Sequence, residues 1–297
     1  MTLEQLRVFL EVADLQHVTR AAERLNLTQS AVSASIAALE TRHAVRLFDR
    51  VGRRIELTEA GRLFVPEARA TLARAEAAEL VLADLSGQTI GRVRVHASQT
   101  VASYFLPQRL MRLAALYPRI AVSLAVGNTA QVARAVVDGA ADLGVVEGAV
   151  DHGELERHVV GTDRLVLVVA PSHPWASQAF VVPAAFRETA WVLREVGSGT
   201  RAAFEALLAD HSLTIAELTV SLEFPSNEAV LAAVAAGSSA TFLSDRAVAP
   251  ALASGRVVAV GPPLKDRAFL ALRHRARYHT RAAAALLDLL QDSAQDD

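Results

Sequence analysis

Val18-Thr19-Arg20-Ala21-Ala22-Glu23-Arg24-Leu25-Asn26-Leu27-Thr28-Gln29-Ser30-Ala31-Val32-Ser33 has the form of a helix, a short polar turn and a second helix. Small Ala21 and Ala22 let two helices approach closely. Asn26-Leu27-Thr28 interrupts the first helix, and Thr28 has the short hydroxyl side chain of an N-cap for a helix over 29–43. Val32, Ile36 and Leu39 recur at i, i+4 and i+7 and point to a core. At about 100° per residue, the opposite face carries Ser30, Ser33, Ala34 and Ala37, with Gln29 at its edge. A face of short side chains can lie deep in a DNA major groove, where Gln29 can pair with adenine and alanines can meet thymine methyls. The competing reading is an ordinary solvent-exposed or helix-packing face.

Working toward the N-terminus, Thr2 and Gln5 have capping-box spacing ahead of Leu3, Leu6, Phe9, Leu10 and Ala13. Toward the C-terminus, residues 48–57 read as a β-wing turning at Gly52. Arg42, Arg46, Arg50, Arg53 and Arg54 face one acid, Asp49, in a chain whose net charge is −2. A local basic excess beside a helix-turn-helix is a phosphate-contact pattern. The expected DNA-binding residues are therefore Thr28, Gln29, Ser30, Ser33, Ala34, Arg50, Arg53 and Arg54. Thr58 then caps a long helix to about Leu85, with Pro66 near its start. Leu63, Ala70 and Ala77, with Leu72, Ala75 and Leu82, form apolar stripes that call for a partner.

The clearest linker is Ser86-Gly87-Gln88-Thr89-Ile90-Gly91. Beyond it the pattern alternates strands and helices. Strands are expected near 92–97, 120–126, 142–146, 165–170, 190–193, 219–223, 240–243, 257–260 and 268–272, with helices over 104–117, 129–138, 200–211 and 227–236. Such alternation argues for open, mostly parallel sheets.

The residues Ala21-Ala22-Glu23-Arg24-Leu25, Thr28-Gln29-Ser30-Ala31-Val32-Ser33, Ile36, Leu39-Glu40, Leu47-Phe48-Asp49-Arg50 and Leu57-Thr58-Glu59-Ala60-Gly61 together resemble the LysR-type family of transcriptional regulators. The likeness runs the whole length, by pattern more than motif in the C-terminal two-thirds. Many relatives carry Arg or Gln where this chain has Ala34 and Ser35, which shifts base readout toward Gln29, the serines and DNA shape.

The resemblance implies an α/β protein with an N-terminal winged domain. Its parts are a winged helix-turn-helix over 1–58, a linker and dimerisation helix over 59–90, and a two-lobed effector-binding domain over 91–297. That domain is similar to a periplasmic binding protein, with lobe I over 91–162 and 267–297 and lobe II over 163–266. The expected partners are double-stranded promoter DNA, a small anionic effector and further copies of the chain, as a homodimer or homotetramer.

In open α/β sheets, ligands lie beyond the carboxyl ends of strands. Three strand-to-helix junctions there supply hydroxyls and free N–H groups suited to a carboxylate or inorganic oxyanion. They are Ser98-Gln99-Thr100, Gly127-Asn128-Thr129 and the segment from Glu195 to Arg201. The expected effector residues are Ser98, Gln99, Thr100, Asn128, Thr129, Glu147, Gly197, Ser198, Gly199 and Thr200. Glu147 repels an anion unless paired. Pro225-Ser226-Asn227 reads as a plain cap. The Gly-Ser-Gly-Thr element looks like that of members sensing small sulfur oxyanions, with organic acids equally open.

Other classes fit less well. The chain has no cysteine and nine scattered histidines. No HExxH, GxSxG or P-loop occurs, so no catalytic residues, metal or cofactor are expected. His173-Pro174-Trp175 reads as a surface turn. No segment reaches the ~18 uninterrupted apolar residues of a membrane helix. The N-terminus lacks a secretory pattern. A cytoplasmic protein is therefore expected. The rival is a cytoplasmic or transporter-linked small-molecule binding protein without DNA function.

Overall fold

The computed structural model describes residues 1–51, 54–85 and 91–292. Helix α1 (Leu3–Leu15) opens in a capping box. Gln5 N–H donates to Thr2 Oγ1 at 3.1 Å, and Thr2 N–H donates to Gln5 Oε1 at 3.0 Å. Helices α2 (Val18–Arg24) and α3 (Gln29–His43) follow, and Asn26, at φ 54°, turns the chain between them. Strands β1 (Phe48–Val51) and β2 (Arg54–Leu57) pair antiparallel, with Phe48 opposite Leu57. The wing turn at Gly52 and Arg53 lies outside the described residues. Helix α4 (Glu59–Leu85) starts at Thr58, whose Oγ1 accepts the Gly61 N–H at 3.0 Å and donates to the Arg46 carbonyl at 2.8 Å.

Leu6, Phe9, Val12, Ala21, Val32, Ile36, Leu39 and Phe48 form the core of this unit. The Phe9 ring sits 5.4 Å from Phe48 and 5.0 Å from Phe64 of α4. Helix α4 thus packs its first half on its own chain through Phe64, Ala68 and Leu72, while Leu63 and Leu82 are each 70% exposed. The apolar pattern of α4 therefore serves two surfaces. The Ala77 side chain lies outside what is described.

Glu40 ties α3 to the wing. Its Oε1 accepts the N–H groups of buried Leu47 and Phe48 at 2.7 and 3.1 Å. Glu40→Ala leaves both donors unpaired and is expected to cost about 1–3 kcal/mol. A lower denaturation midpoint in far-UV circular dichroism checks this.

The second compact unit contains two five-stranded sheets. The first lobe begins with β3 (Gly91–Ser98), α5 (Gln99–Tyr104), α6 (Leu106–Leu116), β4 (Ile120–Gly127), α7 (Thr129–Val137), β5 (Leu143–Glu147) and β6 (Leu155–Asp163). The second lobe holds β7 (Leu165–Val169), β8 (Ala190–Arg194), α8 (Gly199–Asp210), β9 (Thr219–Phe224), α9 (Asn227–Ala236), β10 (Ser239–Ser244), α10 (Asp245–Ala253) and β11 (Val258–Val260). The chain then returns to the first sheet as β12 (Arg267–His274) and closes with α11 (Arg281–Asp292).

The strand orders are β4-β3-β5-β12-β6 and β11-β7-β10-β8-β9. Both sheets are mixed, which corrects the expectation of mostly parallel sheets. In the first, β3 pairs parallel with β4 and β5, while β12 is antiparallel to β5 and β6. In the second, β8 is parallel to β9 and β10, while β7 is antiparallel to β10 and β11. Strand β6 escaped the sequence reading because Glu156, Arg157 and His158 interrupt its apolar pattern, as suits an edge strand. The helix expected over 104–117 is α6, and a short helix not expected from the sequence, α5, precedes it and stops before Pro107, which offers no N–H with which to continue.

The first lobe's core gathers Val93, Val95, Val145, Phe105 and Phe269 with Leu286 and Leu290 from α11. The second is aromatic, with Trp175, Phe186, Trp191, Phe204 and Phe242 in contact. His173 belongs beside it rather than at a surface turn. It is buried, accepts the Trp175 N–H at Nδ1 (3.0 Å) and lies 2.9 Å from Thr189 Oγ1 through Nε2. Burial holds its pKa below the ordinary histidine value.

Candidate functional site

In the N-terminal unit, Thr28 caps α3. Its Oγ1 accepts the Ala31 N–H at 3.2 Å and lies 3.0 Å from Ser30 Oγ. Val32, Ile36 and Leu39 are buried, and Thr28, Gln29, Ser30, Ala34 and Ala37 are exposed, with Ser33 half-buried. The helix therefore presents one short-side-chain face to solvent, as the periodicity requires. Arg42, in the last turn of α3, and Arg46, between α3 and the wing, are both exposed. The side chains of Arg50 and Arg54, and the whole of Arg53, lie outside the described residues. This surface is a helix with an exposed face of short side chains beside a two-stranded wing.

In the second unit, the carboxyl ends of three neighbouring strands meet. Ser98 ends β3 opposite Gly127, which ends β4, and Glu147 ends β5 on the other side of β3. The corresponding ends of β8 and β9 in the second lobe lead into Ser198 and Asn227. Parallel pairing thus gathers the junctions of each lobe, and the two lobes bring them face to face.

The residues brought together are polar and sheltered. Ser98, Thr100, Asn128, Thr129, Glu147, Ser198, Thr200 and Asn227 are all buried. The Ser98 hydroxyl donates to the Glu147 carboxylate. Thr129 Oγ1 donates to the Glu147 backbone carbonyl at 3.1 Å. Across the lobes, Asn128 Nδ2 donates to the Val196 carbonyl at 3.4 Å, and Ala130 N–H to that of Gly197 at 3.2 Å. Gly197 holds φ 91°, a conformation glycine adopts without strain. A Cβ on Gly199 would stand 2.2 Å from the Glu147 carbonyl oxygen, so only hydrogen fits there. The Ser198 hydroxyl is buried and has no hydrogen-bond partner among the described residues.

Three groups outside the expected set complete the cleft. Asn227, set aside as a plain cap, is a bridge. Its N–H donates to Gln99 Oε1 at 2.6 Å, its Nδ2 to Thr100 Oγ1 at 3.0 Å, and its Oδ1 accepts from Arg194 at 2.6 Å. Glu228 accepts from Gln99 Nε2 and, at 3.3 Å, from the Tyr104 hydroxyl. Arg194 is buried and also forms a two-pronged pair with Glu195 at 2.8 and 3.0 Å. Burial pushes the Glu195 carboxyl upward, but the Arg194 guanidinium outweighs it and leaves the pKa below the usual value. Only an arginine closing an otherwise apolar strand signalled Arg194 in the sequence.

At the passages between lobes, Arg267 pairs with Asp163 through two hydrogen bonds of 2.8 and 2.6 Å. Its third nitrogen reaches Thr200 Oγ1 at 3.3 Å. Both arginines of the cleft are therefore committed to protein partners. The Ala130 and Gln131 N–H groups of α7 are taken by the Gly197 carbonyl and Asn128 Oδ1, so what the cleft can offer a ligand is hydroxyls, the N–H groups of the α8 first turn and the Glu147 carboxylate.

A winged helix-turn-helix followed by a two-lobed α/β unit with a polar cleft defines a ligand-responsive DNA-binding architecture. The comparisons agree. Residues 3–62 match the model of the bacterial regulatory helix-turn-helix protein, lysR family. Residues 86–295 match the LysR substrate binding domain. The HTH-type transcriptional regulator YeiE of Escherichia coli (strain K12) is 36% identical over 290 residues, 97% of this chain and 96% of the relative. The RuBisCO operon transcriptional regulator of Acidithiobacillus ferrooxidans is 31% identical over 299 residues, 100% of this chain and 96% of the relative.

Among solved structures, full-length CbnR in complex with its target DNA superposes with a TM-score of 0.72 at 20% identity, covering 99% of this chain and 100% of CbnR. The CcmR regulatory domain of Synechocystis PCC6803 in complex with 2-PG gives a TM-score of 0.63 at 26% identity, covering 69% of this chain and 98% of that domain. The chain belongs to the LysR family of transcriptional regulators, with an effector-binding domain of two lobes. Among the described residues, no helix is long and apolar enough to cross a membrane.

Proposed function

We propose that this regulator binds promoter DNA in the cytoplasm through α3 and the wing, and that a small anionic effector held between the lobes modulates that binding. The observation that carries the reading is the convergence of buried hydroxyls and helix N-termini from both lobes, on a chain that also carries a groove-fitting helix. The DNA-bound CbnR and 2-PG-bound CcmR support the same division of labour. The effector residues are Ser98, Gln99, Thr100, Asn128, Thr129, Glu147, Gly197, Ser198, Gly199 and Thr200. The effector favours one arrangement of the lobes and so changes the spacing of DNA-binding units in a homodimer or homotetramer. A coupling of about 1–3 kcal/mol suffices. Exposed Leu63 and Leu82 on α4 suit contact with a second copy.

Fluorescence anisotropy on DNA upstream of the chain's own gene, against scrambled DNA at several salt concentrations, tests this. Specific binding is expected to weaken steeply with salt. Arg50→Ala with Arg53→Ala lowers affinity for both DNAs, because phosphates carry no sequence. Gln29→Ala lowers only specific affinity, by about 1–3 kcal/mol if it pairs with a base. Failure to bind either DNA, with or without candidate anions, overturns the proposal.

A further inference from the structure

Glu147 is at odds with a simple anion site. Its residue is 1% exposed, and it packs against Gly199 and Thr129 at the starts of α8 and α7. The Ser98 hydroxyl donates to it, and Thr129 binds only its backbone carbonyl. No cation is paired with it among the described residues. Arg194 gives its nitrogens to Glu195 and Asn227, and Arg267 gives its own to Asp163 and Thr200. On the facing lobe, Gly199 packs against Glu147, and the preceding Ser198 has a buried hydroxyl without a partner.

A fully deprotonated oxyanion bound beside the Ser198 hydroxyl would share the cleft with the Glu147 carboxylate, with no paired cation among the described residues to offset the two charges. Two like charges sharing a buried site are not both accommodated without a compensating proton or cation. A ligand hydroxyl or acidic proton removes the conflict, because O–H to carboxylate is a charge-assisted hydrogen bond. The Ser198 hydroxyl and the first-turn N–H groups of α8 then remain for the acceptor oxygens of the same ligand.

We propose that Glu147 is a specificity-determining residue that admits an anion only if the anion carries its own hydrogen-bond donor. This rests on the cleft being an anion site, as above. The ligand class is then a protonated oxyanion or a hydroxy acid. Donor-less oxyanions of the same size and charge are rejected. A polar site that demands a partner discriminates strongly against an analogue lacking it.

The test uses the intact protein and two probe pairs at pH 7 and constant ionic strength, by isothermal titration calorimetry. The pairs are hydrogen phosphate against sulfate and glycolate against acetate. In each, only the first member presents a hydroxyl donor. The donor-bearing member is expected to bind at least about tenfold tighter, within the range typical of hydrogen-bond discrimination. In Glu147→Gln the side-chain amide can donate, so sulfate binding is expected to rise and the preference to fall to about threefold or less.

Where Glu147→Gln does not fold, the four wild-type titrations carry the test. Equal binding of both members of each pair in the wild type overturns the donor requirement and leaves the anion site standing. No binding of any of the four probes overturns the anion site and the donor requirement with it.

Discussion

Arg267→Ala is expected to destabilise the effector-binding unit by about 3–5 kcal/mol, the range for removing one partner of a buried ion pair. The Asp163 side chain is fully buried and the Arg267 side chain 8% exposed. Without the guanidinium, Asp163 keeps a buried charge that has lost two hydrogen bonds, and Thr200 loses its donor. The position magnifies the effect. Asp163 ends β6, Arg267 begins β12, and the two are direct partners in the sheet where the chain passes between lobes.

Arg267→Lys keeps the charge but not the two-pronged geometry, and should fall between wild type and alanine. Replacing both members with apolar residues of similar volume should be milder than either single change. Urea denaturation followed by tryptophan emission reads this unit directly, because Trp175 and Trp191 both lie in its second lobe core. Equal midpoints for wild type and Arg267→Ala would show that the pair holds nothing together.

The parts legible in the sequence were those set by near neighbours. Thr2 with Gln5, Thr28 with Ala31, and the spacing of Val32, Ile36 and Leu39 are contacts within a turn or two of helix. The junctions at Ser98, Asn128 and Ser198 were visible because a strand ending before a small polar residue marks a place in any open sheet. Arg267 and Asp163 lie 104 positions apart, and Asn227 lies 127 from Thr100. Nothing local distinguishes an asparagine that caps a helix from one that bridges two lobes. The mixed sheets were missed for a related reason. Strand direction depends on where β6 and β12 leave and re-enter, and β6 hides its strand pattern under three charged or polar side chains in succession. Gly61 was legible only as part of a family pattern. The structure supplies the cause, since a Cβ there would lie 2.2 Å from the Leu47 carbonyl oxygen.

Gly199→Ala is expected to weaken effector response strongly while leaving DNA binding by the N-terminal unit intact. Its added methyl would lie 2.2 Å from the Glu147 carbonyl oxygen and 2.7 Å from Thr129 Oγ1. Neither atom can yield cheaply. The first belongs to the backbone at the end of β5, and the second is fixed by its bond to that same carbonyl. The overlap is relieved only by moving the lobes apart, which breaks the bonds from Asn128 to Val196 and from Ala130 to Gly197. Each lobe retains its own sheet and core, so the substitution opposes the closed arrangement more than it opposes folding. A closed state disfavoured by the ~1–3 kcal/mol typical of overpacking loses about 5- to 150-fold in apparent ligand affinity. The measurement is the shift in promoter-binding midpoint on adding a ligand that moves the wild type. A Gly199→Ala protein that responds like wild type would mean that the effector acts without the contact between Gly199 and Glu147, and so without closing the lobes as they stand in this structure.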